Sequence, residues 1–127
     1  MPRTILMVDD ERDLVFATKL YLEGVGYQVA TAYDGAEALE RVQEIKPDLI
    51  ILDVYMPVKN GWDVLETLKA NPETEGIPVI MLTAAVEPEN IARGYNHDCT
   101  WYHTKPFDPK DLITVIDRVF QALGDSP

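Results

Sequence analysis

Five short apolar runs punctuate this chain, and a longer stretch of helical period follows each of them. The runs are "TILMVD" (4–9), "YQVATA" (27–32), "DLIILD" (48–53), "IPVIMLTA" (77–84) and "TWYHT" (100–104). Each has the length of a strand rather than a helix. Between the first two, Leu14, Ala17, Tyr21 and Val25 recur at spacings of three and four. That spacing predicts an amphipathic helix with this stripe against the core, stopped by Gly24 and Gly26. Asp34 opens a second helix carrying Ala38, Leu39, Val42 and Ile45, and Asn60 is the expected N-cap of a third bearing Gly61, Val64, Leu65 and Leu68. A weaker helix is expected around 89–95. Asp108-Pro109 starts the last, with Leu112, Val115, Ile116, Val119, Phe120 and Leu123 in helical period.

Strands alternating with helices in this way predict an α/β fold, a doubly wound five-stranded parallel sheet with helices on both faces. Right-handed crossovers leave few ways to wind it, and the flavodoxin-like order 2-1-3-4-5 is the expected one. At 127 residues the chain holds about one core. No linker or repeat divides it, and the closing "GDSP" is too short for an effector. Residues 1–127 are therefore expected to form a single domain with no output domain visible.

Charge narrows the function. Acids outnumber bases 22 to 11, a formal net charge of -11, and no Lys/Arg cluster exists. Binding to nucleic acid or to an anionic membrane needs local positive charge, so neither partner is expected. No run approaches the roughly 20 apolar residues of a membrane span, and no signal peptide opens the chain. The lone cysteine, Cys99, excludes an internal disulfide and fits a small buried filler in a reducing, cytoplasmic setting.

In a doubly wound sheet, ligands sit beyond the carboxyl ends of the strands at the switch point. The residues there are Asp9 and Asp10, then Asp53, Thr83 and Lys105. Any one alone reads as a solvated strand end. With the first and third strands adjacent, Asp9, Asp10 and Asp53 share one pocket. Two carboxylates about 4 Å apart repel by roughly 4 kcal/mol at an effective dielectric of 20. A hard divalent cation relieves that, and oxygen donors suit Mg²⁺.

The segments "ILMVDDE", "DLIILDVYMPVKNGWDVL", "IPVIMLTA" and "TKPF", in this order, resemble the receiver domain of bacterial two-component response regulators, the family of the chemotaxis response regulator. The likeness spans essentially the whole chain. It implies that Asp53 accepts a phosphoryl group from the phosphohistidine of a sensor kinase or phosphotransfer protein. It implies Mg²⁺ held by Asp10, Asp53 and the backbone carbonyl of Tyr55, with Asp9 acting through water. Lys105, followed by a cis Pro106, and the Thr83 hydroxyl would receive phosphoryl charge. Thr83 and Tyr102 would form the switch, read out on the face of the fourth helix, fifth strand and fifth helix. Gly61 would support the loop after Asp53. Tyr55 and Ala85, two residues beyond Asp53 and Thr83, would flank the water that hydrolyses the phosphoform.

The chain departs from its relatives in "DCTWYHTKPF", where Asp98 and Cys99 replace the usual glycine and alanine. The patch Trp101-Tyr102-His103 reads either as a partner or self-association contact or as half-exposed packing. His97 and His103 lack the spacing of a transition-metal site. Three rival functions fit these residues less well. A flavin-binding loop would not begin "DDER". An Asp-nucleophile phosphatase would carry an acid where Tyr55 stands. A docking-only receiver would not need the intact acid set.

Overall fold

A computed structural model describes residues 2–84, 87–96 and 99–124. The chain alternates β1 (Thr4–Val8), α1 (Arg12–Gly24), β2 (Gln28–Ala32), α2 (Gly35–Ile45), β3 (Leu49–Leu52), α3 (Gly61–Ala70), β4 (Val79–Thr83), α4 (Pro88–Asn96), β5 (Trp101–Thr104) and α5 (Pro109–Ala122). The strands form one parallel sheet in the order β2-β1-β3-β4-β5. This is the doubly wound flavodoxin-like arrangement.

Alternation along the central strands divides the core in two. Leu6, Val8, Ile50, Leu52, Val79 and Met81 face α2, α3 and the side of α4. Ile5, Met7, Leu49, Ile51, Ile80 and Leu82 face α1 and α5. Each such aliphatic side chain, fully buried, contributes roughly 1.5–3 kcal/mol. Three helices begin where their caps direct. The side chains of Asp34, Asn60 and Asp108 accept from the N–H groups of Glu37, Asp63 and Lys110 at 2.8, 3.0 and 2.9 Å. Such caps are worth about 1 kcal/mol each.

Helix α1 departs from expectation. It buries Val15, Thr18 and Leu22, whereas Tyr21 and Val25 are exposed and Leu14 is only half-covered. Both stripes keep the helical spacing and differ by a one-residue rotation. Thr18, polar by type, conceals the true one. Leu14, Ala17 and Tyr21 instead line an open groove of about 560 Å³ with Pro106 and Phe107.

Candidate functional site

The pocket is built where β1 and β3 end side by side. Val8 pairs with Ala32 on one side and Leu52 on the other. The Asp9 N–H donates to the Ala32 carbonyl and the Asp53 N–H to the Val8 carbonyl, both at 3.1 Å. Ladder bonds therefore continue one residue past the strands and fix both acids. One carboxylate oxygen from each of Asp9, Asp10 and Asp53 lies within 4.8 Å of the others. Asp9 is 1% exposed and Asp53 4%, while Asp10 faces solvent.

Lys105 bridges these acids from the end of β5. Its Nζ lies 2.7 Å from Asp9 Oδ2, 3.2 Å from Asp53 Oδ2 and 3.4 Å from Glu11 Oε1. Burial raises the Asp9 carboxyl above its ordinary value, and the charge of Asp53 adds to the effect. Lys105 and the Glu11 N–H, which donates to Asp9 Oδ1 at 3.0 Å, oppose it without cancelling it. Burial alone would lower the Lys105 ammonium. Its contacts with Asp9 and Asp53 outweigh that and hold it above the usual lysine range.

Among the described residues Asp9 Oδ2 is met only by the Lys105 ammonium, at 2.7 Å. Such a buried oxygen has acceptor capacity to spare. The cluster offers carboxylate oxygens only, with no thiol or imidazole, and that donor set suits a hard cation of the Mg²⁺ class.

The loop after Asp53 is closed at its base. The Gly61 N–H donates to the Val54 carbonyl at 2.9 Å, and the Tyr55 N–H to Asp53 Oδ1 at 3.3 Å. A Cβ on Gly61 would stand 2.1 Å from the Asp53 carbonyl oxygen, so only glycine lets α3 begin this close to Asp53. The Tyr55 side chain is 55% exposed. Thr83, fully buried, ends β4 beside β3. The Lys105-Pro106 bond is cis.

A family model described as the response regulator receiver domain matches residues 5–117. The chain belongs to this family. The DNA-binding response regulator MtrA of Mycobacterium leprae is 35% identical over 127 residues, all of this chain and 55% of that protein. The chain thus spans about half the length of the curated relatives it matches. Among solved structures, the chemotaxis protein CheY4 of Vibrio cholerae shares 34% identity at a TM-score of 0.88, covering 94% of this chain and 99% of that one. A CheY-like receiver domain from Methanospirillum hungatei shares 29% at 0.90, covering 96% of each. Receivers are phosphorylation-controlled signalling domains, and response regulators take their phosphoryl groups from sensor histidine kinases.

On β5, Tyr102 is buried rather than half-exposed. Its backbone N–H donates to the Tyr95 hydroxyl at 3.2 Å. Burial first, then the neighbouring Tyr55, Cys99, Glu87 and Asp53, push its phenol up to about 12. Trp101 is 39% exposed, and His103 is half-buried with its ring edge-on to Phe107. Cys99 is buried, as a filler should be. Ala85, His97 and Asp98 lie outside the described residues.

The pocket thus gathers Asp9, Asp10, Asp53 and Lys105, and it adds Glu11, which sequence reasoning passed over although it completes "DDE". The groove beside α1 was also missed, because its residues read as core. Among the described residues no helix is long and apolar enough to cross a membrane.

Proposed function

We propose that Asp53 is the phosphoacceptor of this receiver and that residues 1–127 act as one receiver unit. The observation that carries the reading is a nearly buried Asp53 carboxylate with the Lys105 ammonium 3.2 Å away, clustered with Asp9 and Asp10. An Asp53 carboxylate oxygen attacks phosphorus, the P–N bond of a phosphohistidine breaks, and its electron pair leaves with the imidazole. The product is an acyl phosphate on Asp53.

Asp10, Asp53 and the Tyr55 carbonyl would hold Mg²⁺, and Asp9 would assist from behind them. When bound, the ion supplies positive charge for the phosphoryl oxygens. Lys105 and the Thr83 hydroxyl take the remaining phosphoryl charge, so the work is positioning and charge compensation. As Thr83 turns to the phosphoryl group, Tyr102 shifts and alters the α4–β5–α5 face. Tyr55 flanks the hydrolytic water and sets the life of the phosphoform.

The phosphodonor is a sensor kinase or phosphotransfer protein in the cytoplasm. The apolar groove of Leu14, Ala17, Tyr21, Pro106 and Phe107 is lined by Lys105 and Glu11 as well, so a protein seated there brings its phosphohistidine beside the pocket. Trp101 anchors a protein partner or a second copy on the output face. Partner binding and self-association both unchanged in Trp101→Ala would remove that role. The domain promotes only its own phosphorylation and dephosphorylation. Repeated turnover of a phosphomonoester would make it an enzyme instead.

The test is incubation with a small phosphodonor, with and without Mg²⁺, followed by intact mass. A single phosphoryl adduct that needs Mg²⁺ and disappears in Asp53→Asn is expected. Absence of any adduct on the native chain would favour a docking-only receiver.

A further inference from the structure

Gly35, the first residue of α2, touches a part of the molecule that its helix does not require. A Cβ built on it would stand 2.1 Å from the Lys59 carbonyl oxygen, and 2.8 Å from both the carbonyl carbon and Cβ of Lys59. Its φ is not in the left-handed region, so backbone conformation does not demand glycine here. Helix propensity argues against glycine, since alanine at a compatible helical position usually stabilises by about 0.4–1 kcal/mol. What remains is the close approach of Lys59.

Lys59 is the tip of the loop that leaves Asp53. That loop is tied at its base by the Gly61 N–H to the Val54 carbonyl. At its tip the Lys59 N–H returns to the Pro57 carbonyl at 2.7 Å, around Val58 at φ 69. Between base and tip lie Tyr55 and Met56, with the Tyr55 N–H on Asp53 Oδ1. The loop is therefore held between two glycines, Gly61 beneath Asp53 and Gly35 beneath Lys59. A side chain at either contact moves backbone, because the nearest obstructing atom in each case is a backbone carbonyl oxygen.

We propose that Gly35 is a positioning residue for the cation and phosphoryl site, acting across the α2–loop contact to fix the Tyr55 carbonyl relative to Asp53. The proposal rests on the reading of Asp53, Asp10 and Tyr55 under the proposed function. It assigns the first residue of α2 a share in Mg²⁺ affinity, although α2 contributes no ligand. Displacing the loop tip tilts the segment that carries the Tyr55 carbonyl. The cation then binds more weakly, while Asp53 and Lys105, fixed by β3 and β5, keep their places.

Two variants approach the contact from opposite sides. Gly35→Ala forces the loop away, and Lys59→Gly loosens it without touching the helix. Calorimetric titration of the unphosphorylated chain with Mg²⁺ is the first readout. The Mg²⁺ dependence of labelling by a small phosphodonor is the second. Gly35→Ala is expected to raise the Mg²⁺ dissociation constant about 3–10-fold and Lys59→Gly at least about twofold. In both, the labelling rate at excess Mg²⁺ is expected to stay within about twofold of the native chain. A merely structural role would lower the unfolding temperature and leave Mg²⁺ affinity alone. A folded Gly35→Ala with native affinity overturns the proposal. If Gly35→Ala does not fold, native affinity in Lys59→Gly overturns it. A native chain that binds no Mg²⁺ or is not labelled at Asp53 overturns the underlying functional reading instead.

Discussion

Gly94 on α4 packs directly against the ring of Tyr102. A Cβ there would stand 2.8 Å from Tyr102 Cδ2 and 3.2 Å from both Tyr102 Cε2 and Cys99 Sγ. The burial of Tyr102 therefore depends on a missing side chain eight residues earlier. Gly94→Ala is expected to drive the ring outward and to cost about 1–3 kcal/mol as overpacking. Its phenol should then titrate well below 12, toward the ordinary value of 10. An NMR pH titration with labelled tyrosine checks this. A phenol still titrating near 12 would show that α4 yields instead of the ring.

Removing Lys105 should separate its two effects. Lys105→Met leaves Asp9 and Asp53 facing each other without an ammonium, and losing one partner of a buried ion pair costs about 3 kcal/mol. The same change removes a competitor for Mg²⁺. Urea unfolding without Mg²⁺ should show the loss, and calorimetry should show tighter Mg²⁺ binding, with added Mg²⁺ recovering much of the stability. Stability unaffected by Mg²⁺ in this variant would contradict the shared-charge account.

Asp9 carries a pH dependence of defined sign. Its folded value lies above 3.8, mainly through burial, so the folded chain holds a proton that the unfolded chain has already lost. Stability therefore falls as pH rises from about 3.8 through the folded value, and the penalty persists above it. Lys105, raised above 10.5, acts oppositely. Its contribution is fully present below 10.5 and is lost as pH climbs through the higher folded value. Asp9→Asn should thus raise the unfolding midpoint by a few degrees at neutral pH without Mg²⁺ and flatten the acid-side slope. Thermal scans across pH read both; a lower midpoint throughout would refute it.

Val58 is a β-branched residue at φ 69 and is 82% exposed. The left-handed region costs such a residue about 1–2 kcal/mol, with no buried contact of its side chain in return. Val58→Asn keeps the turn with a residue that tolerates it, and should stabilise the chain by about 1 kcal/mol in urea unfolding. Mg²⁺ affinity should be unchanged, because the path of the loop is preserved.

The strand runs and the helix starts were legible because their causes are local. Asp34, Asn60 and Asp108 cap amides two or three residues away, and a buried strand announces itself as an unbroken aliphatic run. The meeting of Asp9, Asp10 and Asp53 followed from strand order, and the reach of Lys105 came with the resemblance. Helix α1 was misread because polar Thr18 interrupts the stripe that is buried, while Leu14, Ala17 and Tyr21 make the more apolar one. Choosing Val15, Thr18 and Leu22 depends on what α1 packs against. Contacts such as Glu11 with Lys105, Gly35 with Lys59 and Gly94 with Tyr102 leave no periodic trace. They are set by how closely backbone and side chains of separate elements approach, which only the folded packing decides.

The Tyr95 hydroxyl on the Tyr102 N–H has a further consequence. Strand β5 is one of the two rims of the sheet, and a rim with free amides can recruit a foreign strand and seed aggregates. Tyr95 occupies one of those amides from within the same chain. A phenol thus blocks one docking point on this margin, and a foreign strand pairing there would first have to displace Tyr95.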